Sequence, residues 1–546
     1  MQPSPTSSCF RAKGCCPLFD RLPTRQELAQ RAPILLAWGL LLAAIIWAYR
    51  FTPALGINSV DGWADVAGAR PKGLSGVWEA VVSPLTLGIA GKNANFYRPV
   101  AMLWFSAQRV LFDTWGAGWQ ASNMGLHLGC VGLIAALSKR LGGSPWEALL
   151  AAALLGLHPL GLDVVPAIDR SPDLLGTGLI LGALVLGSRG RAIPAALLAV
   201  LALGAKETML AGMPVLVVLI WDQHGPRRAL HALGLMVACL AVYFGVRAHV
   251  LGGMGGYESA ALRPTGLYTL LCAGALELLS AGWAQPLEAL FPSAVQQVVV
   301  GGLASAGLLI LAYVGREESG VRTGLLLTLL PLVLLGLTSA FSRRTIYLPL
   351  TGFVLLMSAS IFRVPLGKWL GVGLAFLLLP GSPLLRSDRA WSLAAAIDRS
   401  LTLNALEQAS ELPSGAEIWI VDRCVQVDTD PWLYGMWRNG KSTVYCIGTY
   451  SVEAYFLDQL GRPIQVYKLS NIFPERAPTV VAPQIDGTSI VIERSVADRR
   501  ITRSTQKARW LVEDQGGVLR ISPTGTMDKA WVLVAGAEHG SLIKAP

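Results

Sequence analysis

The residues with the clearest chemical potential lie in the stretch Leu154–Leu175, where a charged loop interrupts apolar sequence. One apolar run ends at His158-Pro159 and a second begins at Leu174. The loop between them carries four ionisable residues, Asp163, Asp169, Arg170 and Asp173. Ionisable groups at a membrane boundary are costly and usually functional. The stretch therefore predicts one wall of an active site at the outer face of a membrane.

Other charges on the same predicted face lie in separate loops: Asp61, Asp65, Arg98, Lys206, Glu207, Arg343 and Arg344. A carboxylate accepts a proton from an attacking hydroxyl. Arginine binds phosphate oxygens with a planar fork of donors, and lysine acts as a point charge. Acids and bases together therefore favour a reaction that involves a phosphate. Tyr97, His158 and Tyr347, which lie beside these charges in sequence, are predicted to support the site.

Each of these residues also has a purely structural interpretation. Asp61 is a possible turn residue before Gly62, and His158 a possible helix cap. Asp169 and Arg170 are a possible ion pair, as are Lys206 and Glu207. Arg98, Arg343 and Arg344 are possible headgroup anchors, and His127 is expected to be a packed core residue.

The elements that position these loops are apolar helices. Hydrophobic residues make up 53% of the 546 residues and charged residues only 15%, against roughly 25% charged in soluble domains. Apolar runs predict an all-α polytopic membrane bundle of about eleven spans. The predicted spans are 33–49, 121–138, 146–162, 172–188, 193–205, 208–221, 229–249, 294–314, 321–340, 345–362 and 366–382.

The distribution of lysine and arginine among the loops predicts how the bundle is oriented in the membrane. Alternate loops carry Lys139-Arg140, Arg189 with Arg191, Arg227-Arg228, Arg316 with Arg322, and Arg363 with Lys368. All fall on the side of the basic tail 1–32, which the positive-inside rule assigns to the cytoplasm. The net charge of +10 is therefore attributed to topology and not to nucleic acid. This assignment requires Leu267–Trp283 to be re-entrant or interfacial.

The chain divides into the tail 1–32, a transmembrane part 33–383 with a long first outer loop 50–120, and an extracytoplasmic region 384–546. In that loop, Val100–Phe112 is expected to lie along the interface. The last region is predicted to be small and mostly β, after an amphipathic helix at Trp391–Ser410. The predicted strands are Glu417–Asp422, Ser442–Tyr450, Ser489–Glu493, Arg509–Val512 and Ala530–Val534. Cys424 and Cys446 are candidates for a disulfide in an exported region.

Together, five segments resemble the C-type (GT-C) membrane glycosyltransferases, and among them bacterial relatives of the transmembrane O-mannosyltransferases. The segments are 96–112, 122–128, 158–175, 201–222 and 343–353, in the family's order. The resemblance covers roughly residues 33 to 380 and implies a hexosyltransferase of the bacterial inner membrane, with a periplasm-facing site and an inverting reaction. The implied donor is a polyprenyl-phosphate sugar, and the acceptor a protein or glycan hydroxyl.

The resemblance also implies roles for individual residues. A carboxylate in the first outer loop, usually within an acidic pair, acts as base in that family, and Asp61 occupies this place. Here its neighbour is Gly62 and the next acid is Asp65, so the choice of base stays open between the two. By charge and position, Arg98, Arg170, Lys206, Arg343 and Arg344 are the candidate ligands for the phosphate of such a donor. An acid that usually precedes the Tyr-Leu-Pro motif at Tyr347 is absent.

Two other functions remain open. A transporter or flippase for a lipid-linked or anionic solute predicts charges near the membrane midplane and internal repeats. A non-catalytic relative that serves as a scaffold would explain the missing acidic neighbour of Asp61. No cofactor or metal ligand pattern is evident in the sequence, and a carboxylate-plus-cation site works without a metal, although metal dependence stays open.

The charge asymmetry yields a topology prediction. Reporter fusions after Lys139, Arg189 and Arg228 should report the cytoplasm, and a fusion after Gly415 should report the exterior. A cytoplasmic signal from the last fusion would contradict the eleven-span assignment and separate the C-terminal region from the site.

Overall fold

In a computed structural model of the chain, residues 25–69, 73–85, 95–253, 315–337, 343–363, 388–421, 446–469, 483–493, 510–514, 518–525 and 529–535 are described, with shorter pieces between and after them. Within these described ranges, five helical segments are long and apolar enough to cross a membrane: Ala32–Leu55, Gly116–Arg140, Pro226–Leu251, Ser319–Leu337 and Arg344–Ile361. Leucine side chains of the first segment, such as Leu36 at 66% exposure, lie on its surface, as expected of a helix that faces lipid. This architecture is consistent with a helical membrane protein.

The helices of this part follow in chain order. They are α1 (Arg25–Ala48), α2 (Gly62–Gly68), α3 (Gly73–Val82), α4 (Pro99–Phe112), α5 (Gly116–Arg140), α6 (Pro145–Gly156), α7 (Ser171–Gly187), α8 (Ala192–Ala205), α9 (Gly212–His224), α10 (Pro226–Leu251), α11 (Ser319–Leu337) and α12 (Tyr347–Ile361). Short 3-10 turns occupy Thr52–Leu55, Pro159–Asp163, Ile168–Arg170, Glu207–Ala211 and Arg343–Ile346.

Nearly all predicted spans within the described residues coincide with a helix, although some predicted ends were wrong. The span predicted at 146–162 ends as helix α6 at Gly156, because Pro159 has no N–H and restricts the residue before it. Helix α9 begins at Gly212, since Lys206 is extended and a 3-10 turn follows it. The prediction at 366–382, the prediction for Leu267–Trp283 apart from Leu278, and most of 294–314 lie outside the described residues.

The C-terminal region combines helices with strands. Its helices are α13 (Asp388–Leu401), α14 (Leu403–Ser410) and α15 (Thr449–Leu460). Helices α13 and α14 correspond to the predicted amphipathic helix, divided at Thr402. The strand predicted at Ser442–Tyr450 was wrong, because helix α15 begins at Thr449 and buries Val452, Tyr455 and Phe456 at helical spacing.

The strands form three sheets. They are β1 (Glu417–Val421), β2 (Arg423–Cys424), β3 (Gln465–Lys468), β4 (Asn471–Ile472), β5 (Gln484–Asp486), β6 (Ser489–Glu493), β7 (Thr505–Lys507), β8 (Trp510–Asp514), β9 (Val518–Pro523), β10 (Ala530–Ala535) and β11 (Gly540–Lys544). The four-stranded sheet has the order β11-β10-β1-β3, with β1 parallel to both neighbours. The five-stranded sheet, β5-β6-β9-β8-β7, is antiparallel throughout. Strands β2 and β4 pair in parallel.

A disulfide joins Cys424 in β2 to Cys446 just before α15, with the two Cα atoms 5.7 Å apart. The predicted pairing is thus present. A cross-link over 22 residues stabilises a fold by about 3 kcal/mol, mainly by restricting the unfolded chain. In the folded protein it links strand β2 to the segment just before α15.

Helices α11 and α12 pack at close range through two glycines. A Cβ added at Gly324 would lie 2.6 Å from the backbone nitrogen of Leu356, and one at Gly352 would overlap the backbone nitrogen of Thr328. Small residues allow this close approach between helix backbones in membranes. Helix α12 is buried along most of its length, which places it inside the bundle.

The close packing predicts the effect of a single methyl group. Gly352→Ala should lower the thermal stability of the detergent-solubilised protein, since overpacking of about 1–3 kcal/mol exceeds the roughly 1 kcal/mol gained in helix propensity. The matched control is Gly234→Ala in α10, where nothing lies within 4 Å of the added Cβ. Equal melting temperatures for the two variants would contradict this packing.

Candidate active site

One pocket collects most of the charged residues singled out from the sequence. It encloses about 480 Å³, including space open to solvent. Its lining consists of Asp61, Asp65, Leu85, Phe96, Arg98, Phe105, Asp169, Arg170, Pro172, Asp173, Lys206 and Arg344. Five separate stretches of the chain, two of them within the first outer loop, therefore meet at this point.

The helices around the pocket all contribute residues from the same end of the bundle. Helices α4, α7 and α12 begin beside it, and helix α8 ends there at Ala205, one residue before Lys206. The opposite ends carry the basic loops, where Arg363 pairs with Glu318 at 3.1 Å and Arg322 with Asp222 at 3.2 Å. The pocket thus lies at the end of the helices remote from the basic loops.

Arg98 is held by a carboxylate that is shared with a second arginine. Its Nε and Nη2 donate to Glu207 Oε2 at 3.0 and 2.8 Å, and Arg247 Nη1 donates to Glu207 Oε1 at 3.1 Å. Tyr243 OH, next to Arg247, donates to the backbone oxygen of Tyr97 at 2.9 Å. This network orients the Arg98 guanidinium, which also lies 4.6 Å above the ring of Phe96.

Lys206 and Asp173 form a buried ion pair, with 7% and 3% of each residue exposed. The alternative that Lys206 and Glu207 neutralise each other was wrong. Lys206 has an extended backbone, so the two neighbouring side chains diverge and each finds a partner on another helix. Burial lowers the pKa of Lys206, and Asp173 opposes this shift.

Asp169 and Arg170 are also buried and lie 3.4 Å apart, Nε to Oδ1. The ion pair that the sequence left open as a structural alternative is therefore present. Among the described residues, neither carboxylate oxygen of Asp169 has a hydrogen bond, although both are shielded from solvent. The Arg170 guanidinium, at ion-pair distance, is therefore the partner that offsets the cost of burying this charge.

Side-chain amides fix the loop that carries Asp169. Gln120 Nε2 donates to the backbone oxygens of Gly56 and Pro166, both at 3.0 Å. Asn123 Nδ2 donates to the backbone oxygen of Ala167 at 2.9 Å. Since Gly56 lies in the loop of Asp61, these amides tie both carboxylate-bearing loops to helix α5.

Asp61 and Asp65 form the carboxylate wall with different exposure. Asp65 lies within α2 and is 3% exposed, whereas Asp61 precedes α2 and is partly exposed. The hydroxyl of Tyr450, from the C-terminal region, donates a hydrogen bond to Asp61 Oδ1. Asp61 is therefore the carboxylate more accessible to a substrate.

The pKa values of the site follow from burial and charge. Burial, followed by Asp61 and Asp169, raises the pKa of Asp65 well above its usual 3.8. Burial and Asp169 also raise the pKa of Asp61, but the Tyr450 hydrogen bond and the nearby Arg170 and Arg98 oppose the rise.

The pKa of Glu207 shifts in the opposite direction and is lowered. Burial raises its pKa, but Arg98 and Arg247 outweigh this and bring it to about 2. Its ion pairs therefore contribute full stability above its usual pKa of 4.5 and lose it as the pH falls toward about 2.

Other predicted residues lie away from the pocket lining. His158 caps the following 3-10 turn, where the Leu160 N–H donates to its Nδ1 at 3.3 Å. Tyr347 is buried against His127, with the hydroxyl 2.7 Å from Nδ1, so the core position expected for His127 is confirmed. Asp163 is buried within the 3-10 turn, Tyr97 packs against Tyr243, and the Arg343 side chain lies outside the described part of the chain.

Several residues that hydrogen-bond or pair with the elements around the pocket were missed by sequence reasoning: Gln120, Asn123, Arg247, Tyr450 and Ser451. Polar residues in an apolar span signal a buried partner, and this signal was available for Gln120, Asn123 and Arg247. Tyr450 and Ser451 carry no such signal, because their partners lie almost four hundred residues away along the chain.

Comparisons with known proteins leave the family assignment as a prediction, since neither a protein-family model nor a curated protein matches the chain. Within the described ranges, no group of three or more His, Cys, Asp or Glu side chains is arranged to hold a metal ion.

The buried Lys206–Asp173 pair predicts strong coupling between two substitutions. Lys206→Met should destabilise the protein by roughly 3–5 kcal/mol, because it leaves the Asp173 charge buried without a partner. Adding Asp173→Asn should recover part of this loss, measured as thermal stability in detergent. Strictly additive effects of the two substitutions would contradict a direct pair.

Proposed function

We propose that this chain is an integral-membrane glycosyltransferase that moves a sugar from a polyprenyl-phosphate donor to an acceptor hydroxyl. The observation that carries the proposal is the pocket, where cations and carboxylates from five stretches of the chain face one space at the end of an apolar bundle. A lipid-linked phosphate ester needs such a place, with apolar helices for the chain and cations for the phosphate.

In the proposed reaction, Asp61 accepts the proton of the acceptor hydroxyl as its oxygen bonds to the anomeric carbon of the sugar. The bond between that carbon and the phosphate oxygen breaks, and its electron pair stays on the phosphate. Attack from the face opposite the leaving group inverts the anomeric configuration. Asp61 is favoured over Asp65 as base because it is the more exposed, and because the raised pKa of Asp65 favours its neutral form.

The cations serve the leaving group. Arg98, Arg170, Lys206 and Arg344 all line the pocket. Donors that are held in place before the reaction stabilise charge that develops in the transition state without reorganisation. Because Glu207 fixes Arg98, that guanidinium is set before the donor binds.

The eleven-span topology and the periplasm-facing orientation belong to the same proposal. They follow from the basic loops, which lie at the ends of the helices remote from the pocket. A flippase would need charges at the midplane, whereas these lie at one end of the bundle.

Two substitutions should distinguish the loss of the catalytic base from the loss of a ligand to the donor phosphate. Asp61→Asn keeps the shape of the side chain but removes its basicity, so sugar transfer should fall roughly 100- to 10,000-fold with donor binding retained. Arg98→Ala should weaken donor binding as well as turnover, because the phosphate is bound in both ground and transition states. The assay measures label transferred from a panel of polyprenyl-phosphate monosaccharides to membrane proteins and glycans, with binding of fluorescent polyprenyl phosphate in parallel.

The matched controls are Asp222→Asn and Arg227→Ala at the opposite end of the bundle, and neither should change transfer or binding. Normal transfer by Asp61→Asn would show that Asp61 is not the base. If the native protein transferred no sugar from any donor in the panel, the proposed activity would fail and a transporter or scaffold would be favoured.

A further inference from the structure

The C-terminal region reaches the carboxylate wall of the pocket through the start of helix α15. The Gly448 N–H donates to the backbone oxygen of Val60 at 3.0 Å, one residue before Asp61. A Cβ at position 448 would lie 2.9 Å from that same oxygen, so only glycine permits this approach. Further along, the rings of Trp63 and Tyr455 meet edge to face with centroids 4.4 Å apart.

The far end of α15 is held by a second contact. Asp458 accepts from Arg109 Nη2 with both carboxylate oxygens at 3.1 Å, and their side chains are only 2% and 7% exposed. Breaking one partner of such a buried pair is strongly destabilising. Helix α15 is therefore fixed to α2 at its start and to α4 near its end.

Ser451, and not Asp61, caps the N-terminus of helix α2. An aspartate at the N-cap normally accepts from the backbone N–H of the second or third helical residue. In α2 those residues are Trp63 and Ala64, and both N–H groups donate to Ser451 Oγ, at 2.9 and 3.2 Å. Asp61 occupies the N-cap position but makes no capping hydrogen bond.

Because Asp61 does not cap α2, its carboxylate is available for another contact. Tyr450, the residue before Ser451, provides that contact. Tyr450 OH donates to Asp61 Oδ1, and the Tyr450 ring packs against a small apolar cluster of Ala64, Ala67 and Ala454. A tyrosine held in this way fixes one oxygen of the carboxylate and leaves the other for a substrate.

We propose that Tyr450 and Ser451 are positioning residues for Asp61, so that the C-terminal region completes the active site from outside the membrane bundle. This inference rests on the proposed function. Ser451 caps α2 in place of Asp61, and Tyr450 holds Oδ1 and keeps its own proton while Oδ2 takes the proton of the acceptor hydroxyl.

The electrostatics of Asp61 agree with this role. A hydrogen bond donated to the ionised carboxylate stabilises the charged form, which a base requires. It acts against burial and against Asp169, which raise the pKa of Asp61. The other groups that line the pocket around it are Asp65 on α2, Arg98 at the start of α4, Arg170 and Asp173 at the start of α7, Lys206 after α8 and Arg344 before α12.

The first test removes the Tyr450 hydroxyl. Tyr450→Phe should raise the pKa of Asp61, so the acidic limb of the profile of kcat against pH should move to higher pH. At pH values below the midpoint of that limb, transfer should be roughly tenfold slower. The KM for the donor should not change. Infrared titration of the protonated carboxyl band, assigned with Asp61→Asn, should show the same upward shift. Tyr467→Phe is the matched control, since that hydroxyl bonds Gln465 within the C-terminal region.

The second test concerns the cap and needs no sugar donor. Ser451→Ala should increase hydrogen exchange at the amides of Trp63 and Ala64, whereas Ser451→Thr, which keeps the hydroxyl, should not. Unchanged exchange in Ser451→Ala would overturn the capping role.

These outcomes separate the inference from the proposed activity. If Asp61 titrates identically in native protein and in Tyr450→Phe, Tyr450 does not position it, whatever the activity. Faster transfer by Tyr450→Phe would overturn the inference as well, because it would mean that the phenol occupies the place of the acceptor hydroxyl. If no sugar is transferred by the native protein, the proposed function fails, and the infrared and exchange measurements still decide the positioning roles.

Discussion

Charge burial at the end of an apolar bundle is the constraint on which the site depends. A charged side chain removed from water is tolerated only with a partner and good hydrogen-bond geometry. Glu207 meets this requirement for Arg98 and Arg247 together, and Asp173 meets it for Lys206. Because these pairs join segments that are distant in sequence, the same contacts that lower the cost of burial also fix how the helix ends meet.

Neutral side chains complete this framework without adding charge. Gln120 and Asn123 on helix α5 bind backbone oxygens of the loops on either side of the pocket. A buried amide satisfies backbone groups that lack a helix or strand partner, which is the usual problem of irregular chain at membrane depth. The carboxylate wall is thus supported by hydrogen bonds that are independent of pH, while the cations are held by ion pairs.

The sequence predicted the helices and the residues that meet at the pocket better than it predicted which charged side chains pair with each other. Hydrophobic runs identify helices because lipid leaves few other structures possible, and the sidedness of the basic loops placed Asp61, Arg98, Asp169 and Lys206 at one end. A pair between Lys206 and its neighbour Glu207 was one of two alternatives, and the true partner of Lys206 was missed because the extended backbone that directs the two side chains apart was not foreseen. The role of Tyr450 was missed because nothing in the local pattern around it points to a partner in the first loop.

The Tyr450–Asp61 contact spans 389 residues of sequence. Chains emerge from the ribosome in order, so the first helices and the loop of Asp61 are made long before the segment that contacts them. Closing so long a loop is slow compared with local helix formation. During synthesis the carboxylate therefore stays without its tyrosine, and the pocket acquires its finished geometry only when the last region folds onto the first. Proteins truncated within the C-terminal region would retain the lipid-facing helices but not the completed site.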